Sequence, residues 1–177
     1  MRYVALLRGL NVGGHNRITM KNLITVFEGV GCKQLETFIQ SGNVLFDASA
    51  SLIRRVPALV AEKLQEDFEV KSPVILRDEQ EFKGVLKNNP FLRRGDDVAT
   101  LHVGFLADKP EPARVKLLDP KRSPPDEFEV KGREVYFHFP NGLGRSKLTN
   151  LWFDKELATL STVRNWNTVL ELSKRLG

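Results

Sequence analysis

Three stretches of this chain gather glycine, amide and cationic side chains at spacings that suit an anion. The first is Arg8-Gly9-Leu10-Asn11-Val12-Gly13-Gly14-His15-Asn16, which leaves an apolar run and enters an amphipathic one. Glycines let successive backbone N–H groups turn toward a common point, and a helix start nearby adds partial positive charge. Arg8 and Arg17 bracket the loop. The spacing Gly9-x-x-x-x-Gly14 matches a P-loop, but His15 and Asn16 stand where that motif needs Lys and a hydroxyl. Without the Lys there is no fixed charge on the outer phosphates, and without the hydroxyl there is no magnesium ligand, so nucleotide hydrolysis is not expected. The competing reading is a sharp strand-to-helix connection that needs glycine for conformation alone.

The second stretch, Gly142-Leu143-Gly144-Arg145-Ser146-Lys147, again places glycines between a strand and a helix. Ser146 is expected to cap that helix by accepting from the N–H of Thr149. Arg145 and Lys147 then put two cations beside the positive end of the helix dipole, where a carboxylate or ligand phosphate would relieve them. The third, Arg164-Asn165-Trp166-Asn167-Thr168, reads as the opening of the last helix, with Trp166, Val169, Leu170 and Leu176 on a core stripe. Cys32 has no cysteine partner and reads as a small buried hydrophobe. His15, His102 and His138 lack metal-ligand spacing, and no metal or cofactor is expected. His102, His138 and Tyr136 are expected to share the polar face of a sheet.

These stretches need elements to position them. The chain has 177 residues, 27 Lys+Arg against 22 Asp+Glu, and is 41% hydrophobic, which excludes collagen, disorder and a disulfide miniprotein. One cysteine suits a reducing compartment. The apolar run Tyr3 to Leu7, boxed in by Arg2 and Arg8, is too short for a signal peptide or a membrane span, so no membrane and a cytoplasmic location are expected.

The first half reads as strand (Tyr3 to Leu7), helix (Asn22 to Val30), a hairpin about Gln40-Ser41-Gly42-Asn43, a helix from Ser51 to Phe68 that Pro57, in its first two turns, is expected to start or bend, and a strand from Val74 to Leu76. That order, βαββαβ, is the ferredoxin-like unit. Val4 and Leu6 oppose Tyr3, Ala5 and Leu7, so the strand is apolar on both faces and must be covered on both. The second half reads as a helix from Asp78 to Lys87, a strand from Thr100 to Leu106, a short helix from Ala113 to Leu118, a hairpin about Lys131-Gly132-Arg133, and helices from Ser146 to Leu157 and from Thr162 to Leu176. No internal repeat is visible. The fold expected is α+β, an α/β sandwich: a ferredoxin-like subdomain over residues 1–77 packed on a second, smaller α+β half over 78–177 that ends in two helices.

Taken with Ile39-Gln40-Ser41-Gly42-Asn43-Val44 and Gly144-Arg145-Ser146-Lys147-Leu148, these motifs make the sequence resemble the bacterial domain-of-unknown-function family 1697 over essentially its whole length. The resemblance implies two ferredoxin-related subdomains and brings no settled activity. It implies as motif residues Arg8, Gly9, Asn11, Gly13, Gly14 and Asn16, then Gln40, Ser41, Gly42 and Asn43, then Gly144, Ser146 and Lys147, and Arg164, Asn165, Trp166 and Asn167. Cys32 and His15 depart from its pattern.

Three functions compete. The first is a site for a phosphate-bearing or otherwise anionic ligand, a nucleotide or nucleic acid, formed where Arg8, Asn11, Gly13, Gly14, Asn16, Gln40, Ser41, Asn43, Ser146, Lys147, Arg164 and Asn165 are expected to converge. RNA on a bare sheet, as in an RRM, fits poorly, because Ser41-Gly42-Asn43-Val44-Leu45-Phe46 lacks the two central stacking aromatics. The second is an enzyme using Lys147 or His15 with amide donors, although no nucleophile–base pair is legible. The third is a structural or interaction protein whose polar motifs lock the two halves together.

Overall fold

The computed structural model describes all 177 residues, and the chain divides into two compact units, Met1–Phe82 with Leu172–Gly177, and Lys83–Glu171. The first unit runs β1 (Arg2–Leu7), α1 (Met20–Val30), β2 (Lys33–Phe38), β3 (Asn43–Asp47), α2 (Ala50–Ile53), α3 (Val56–Phe68) and β4 (Val74–Asp78). Its sheet is antiparallel throughout in the order β2-β3-β1-β4.

Helix α1 begins where two local signals agree. The Thr19 hydroxyl accepts from the Asn22 N–H at 3.1 Å, and the residue before the cap, Ile18, shares a core with Leu23 one turn in. That is a capped start with a hydrophobic staple. Leu23, Val26 and Phe27 of α1 and Val56, Val60 and Leu64 of α3 pack with Tyr3, Ala5, Leu7, Val44 and Phe46, so both helices cover one face of the sheet. Each of these large side chains removed from water is worth about 1.5–3 kcal/mol before entropy is charged. The opposite face is buried as well, with Val4, Leu6 and Leu45 wholly inaccessible. The helix expected from Ser51 to Phe68 is two helices. Pro57 has no N–H to give and its ring displaces the carbonyl one turn back, so the chain breaks at Arg54–Arg55 and restarts with the proline in its first turn.

After α4 (Glu79–Asn88) and α5 (Pro90–Arg94) come β5 (Leu101–Leu106), α6 (Pro112–Lys116), β6 (Glu127–Lys131), β7 (Glu134–His138), α7 (Asn150–Leu157), β8 (Ser161–Asn165) and α8 (Trp166–Leu176). The sheet order β6-β7-β5-β8 repeats that of the first unit element for element. Leu118, Leu148, Phe153 and Leu157 pack on Leu106, Val135, Phe137 and Phe139, with Phe137 and Phe153 edge to face at 5.4 Å.

Two expectations in this unit are corrected. The last helix does not begin at Thr162: residues 161–165 are strand β8, paired with β5 from Ser161↔Leu106 to Asn165↔His102. Nor does Ser146 cap a helix. Helix α7 is capped by Thr149, whose hydroxyl accepts from Trp152 N–H at 3.2 Å, with Leu148 and Phe153 buried on either side of the cap. The apolar pair decides which of the two hydroxyl residues serves.

Candidate functional site

The glycine loop between β1 and α1 is held by its asparagines. Asn11 donates through Nδ2 to Gln40 O at 3.1 Å and accepts at Oδ1 from Ile18 N–H at 2.9 Å, tying the loop both to the β2–β3 turn and to the start of α1. Asn16 brackets the backbone of Lys71, donating to its carbonyl at 3.0 Å and accepting from its N–H at 3.3 Å. Both asparagines are in the left-handed region, φ 56° and 49°, where Asn is better tolerated than most side chains. Between them Val12 bridges His15, with Gly13 and Gly14 at φ 58° and 78°. Two positive φ values are what the tight hairpin turn there requires.

In the β2–β3 turn, Asn43 is fully buried and donates through Nδ2 to Phe38 O and Ser41 Oγ, each at 3.0 Å. Ser72 fixes the other side of the loop: its hydroxyl accepts from Arg8 N–H at 3.1 Å and donates to Arg8 O at 2.7 Å.

Around this frame lies an open hollow of about 530 Å³. Asn11, Gly14 and Gln40 line it, as do Arg17, Thr19 and Asn22, with Ile18 and Met20 as its apolar part. No intramolecular hydrogen bond or ion pair engages the Arg17 guanidinium or the side-chain carboxamides of Asn22 and Gln40. The lining contains one cation and no carboxylate. Arg17, Thr19 and Asn22 are the polar lining residues that the expected site omitted. A signal for them is in the sequence: residues 1–27 carry Arg2, Arg8, Arg17 and Lys21 and not one acidic group, the first being Glu28.

The expected residues of the second unit are Ser146, Lys147, Arg164 and Asn165. Ser146 lines a separate hollow of about 370 Å³ with Arg145, Asn141 and Asp126, and its Oγ accepts from Leu148 N–H at 3.1 Å. Lys147 is tied through its backbone, N–H to Ser123 Oγ at 3.0 Å and carbonyl from Arg122 Nε at 3.0 Å. Arg164 lies in β8 and is buried, with Nη1 donating to Thr162 Oγ1 at 2.8 Å and Val163 O at 2.9 Å, and burial pulls its guanidinium down to about 10. Asn165 caps α8, its Oδ1 accepting from Thr168 N–H at 2.8 Å.

The same device ends the first unit's sheet. Arg77 sits opposite Val4 as Arg164 sits opposite Val103, and its Nη1 donates to Leu76 O at 2.8 Å. Asp78 then accepts from Glu81 N–H at 2.8 Å as Asn165 does from Thr168. An Arg followed by Asp or Asn is thus the strand-to-helix junction of both units. Trp166, 1% exposed at the start of α8, is core.

The shared polar face expected for His102, His138 and Tyr136 does not form. Directly paired residues point the same way, and Tyr136 pairs with Val103 while His102 pairs with Phe137, so the two lie on opposite faces. Tyr136 is buried and donates to Val85 O at 3.1 Å. His138 meets Glu127 at 3.1 Å. The carboxyl of Glu127 is held down to about 2, chiefly by its hydrogen bond to Arg94.

His102 sits edge-on to Phe139, its Nδ1 buried without a partner, and desolvation lowers its pKa from the ordinary 6.5. The unfolded chain therefore takes up a proton near pH 6.5 that the folded chain refuses, and stability falls as pH drops below that value. The slope is a fraction of the roughly 1.4 kcal/mol per pH unit that one proton can contribute. Urea midpoints at pH 7.5 and 5.5 should differ less in His102→Gln than in the unaltered protein.

No helix is long and apolar enough to cross a membrane, and no group of three His, Cys, Asp or Glu side chains is placed to hold a metal ion. A family model described as "Protein of unknown function (DUF1697)" matches residues 1–136, which includes the whole glycine loop and its hollow and stops before Ser146, Lys147, Arg164 and Asn165. A solved structure of a conserved bacterial protein from Streptococcus pneumoniae is similar in fold. It is 24% identical, with a TM-score of 0.69, over 99% of this chain and 98% of that one. A comparison with curated proteins found no match.

Proposed function

Because the chain belongs to the DUF1697 family, whose function is unknown, we propose a function from its own geometry: the hollow beside the glycine loop of the first unit binds a phosphate-bearing anion, the class that includes nucleotides and nucleic acids. One observation carries the reading. The hollow is lined by an unpaired guanidinium and unpaired carboxamides with no carboxylate among them. A guanidinium binds phosphate oxygens through charge-assisted, often paired hydrogen bonds, and the capped start of α1 adds its partial positive charge at the same place. The asparagines expected to contact ligand supply the frame instead. Asn11 and Asn16 spend both ends of their amides on the chain, and Asn43 is buried. They pre-organise the loop, which lowers the ordering cost of binding.

The test is thermal. With a dissociation constant of about 1 mM, pyrophosphate at about 10 mM stabilises the folded state by roughly 1.4 kcal/mol. For a chain of this size that raises Tm by about 3–5 °C. Arg17→Ala should remove the rise, and so should salt, whereas Lys147→Ala should keep it. A rise that survives in Arg17→Ala, or none in the unaltered protein, refutes the reading.

A further inference from the structure

We propose that the ligand of this hollow is a mononucleotide, with Arg17 on its phosphate and the carboxamides of Asn22 and Gln40 on the edge of its base; the proposal rests on the phosphate reading above. The lining divides into the parts such a ligand needs. Arg17 is its cation, Asn22 and Gln40 contribute carboxamides from two different segments, the first turn of α1 and the β2–β3 turn, and the partly buried Met20 supplies apolar surface for a base. A carboxamide presents a donor and an acceptor side by side, the pairing that Asn and Gln use in two-point contact with base edges. Those two carboxamides are uncommitted, while the neighbouring Asn11 and Asn16 are consumed by the backbone.

The volume, about 530 Å³, falls in the range of small-molecule sites. A polynucleotide is disfavoured on a separate ground. Strands are held by successive bases stacking on exposed aromatic rings, and the exposed large hydrophobic residues of this protein are Val, Ile, Leu and Met with no Phe, Tyr or Trp among them.

Isothermal titration of the full chain with the four nucleoside 5′-monophosphates, ribose 5-phosphate and inorganic phosphate tests this. At least one nucleotide should bind about tenfold or more tighter than ribose 5-phosphate, the difference expected of one two-point base contact. The double variant Asn22→Ala/Gln40→Ala should bring that nucleotide down to the ribose 5-phosphate level, while Arg17→Ala weakens both ligands together. All three side chains make no internal bonds, so the variants should melt with the unaltered protein, and far-UV circular dichroism checks this. Nucleotides binding no tighter than ribose 5-phosphate, or a preference that survives the double variant, would overturn the mononucleotide and leave the phosphate site standing. Absence of binding by every phosphate compound would remove both.

Discussion

Gly42→Ala is expected to destabilise the protein by roughly 2–4 kcal/mol, the sum of left-handed strain and overpacking, and to lower Tm by on the order of 10 °C. Gly42 has φ 82°, and a Cβ there would lie 2.9 Å from Leu7 Cβ, 3.0 Å from Leu10 Cδ1 and 3.4 Å from Leu7 O. Neither leucine has room to retreat, since Leu7 is wholly buried and Leu10 is 2% exposed. The Leu7 N–H also donates to Gly42 O at 2.8 Å, so moving the turn breaks the bond that ties it to β1. Gly13→Ala is the control. Its φ of 58° carries the same kind of strain, but nothing lies within 4 Å of the added carbon, and a loss of only about 1–2 kcal/mol follows. Equal losses in urea unfolding would show that the close approach at Gly42 is immaterial.

Asn43→Asp is the second large effect, about 3–5 kcal/mol at neutral pH. The substitution conserves shape and removes the donor that serves Phe38 O and Ser41 Oγ, leaving a carboxylate facing a carbonyl at a position with no solvent access. Such a carboxyl has a raised folded-state pKa. The deficit is therefore largest at neutral pH and narrows as pH falls toward the ordinary carboxylate value near ~3.9, where protonation restores a donor. Were Asn43 a ligand contact, Asn43→Asp would leave Tm unchanged and the deficit would not depend on pH.

Both predictions concern the Gln40-Ser41-Gly42-Asn43 turn, three of whose residues were expected among the ligand contacts, and they show where sequence reading succeeds and where it stops. The first unit was legible because its signals are local and redundant. Short apolar runs between amphipathic stretches, a Ser-Gly-Asn turn and a proline near the start of the second helix all point the same way. Strand β8 was hidden because Ser-Thr-Val-Arg-Asn has almost no apolar alternation. Its Ser161, Thr162 and Arg164 are buried polar groups satisfied within the fold, while Trp166, Val169 and Leu176 extend a helical stripe that draws the eye upstream.

The repeat of topology between the units, expected from the family resemblance, is not legible in the residues themselves for a related reason. The sheet order is shared, while the residues that fill it, Val4-Ala5-Leu6-Leu7 and Val103-Gly104-Phe105-Leu106, agree only in being apolar. At the site, residue type was a poor guide to role. Asparagines in glycine loops look like ligand donors, yet whether an amide is spent on the backbone is a tertiary fact. The charge pattern is the clue to the proposed hollow, since the 27 residues free of carboxylates end inside α1, just past it.

The central claim, that the glycine-loop hollow of the first unit holds phosphate, is tested most directly by titrating pyrophosphate into ¹⁵N-labelled protein and following the backbone amides. Saturable shifts confined to Gly13, Gly14, Arg17 and the first turn of α1, with Gln40 moving alongside them, are the predicted result. Shifts centred on Gly144–Lys147, or no saturable shift anywhere, would contradict it.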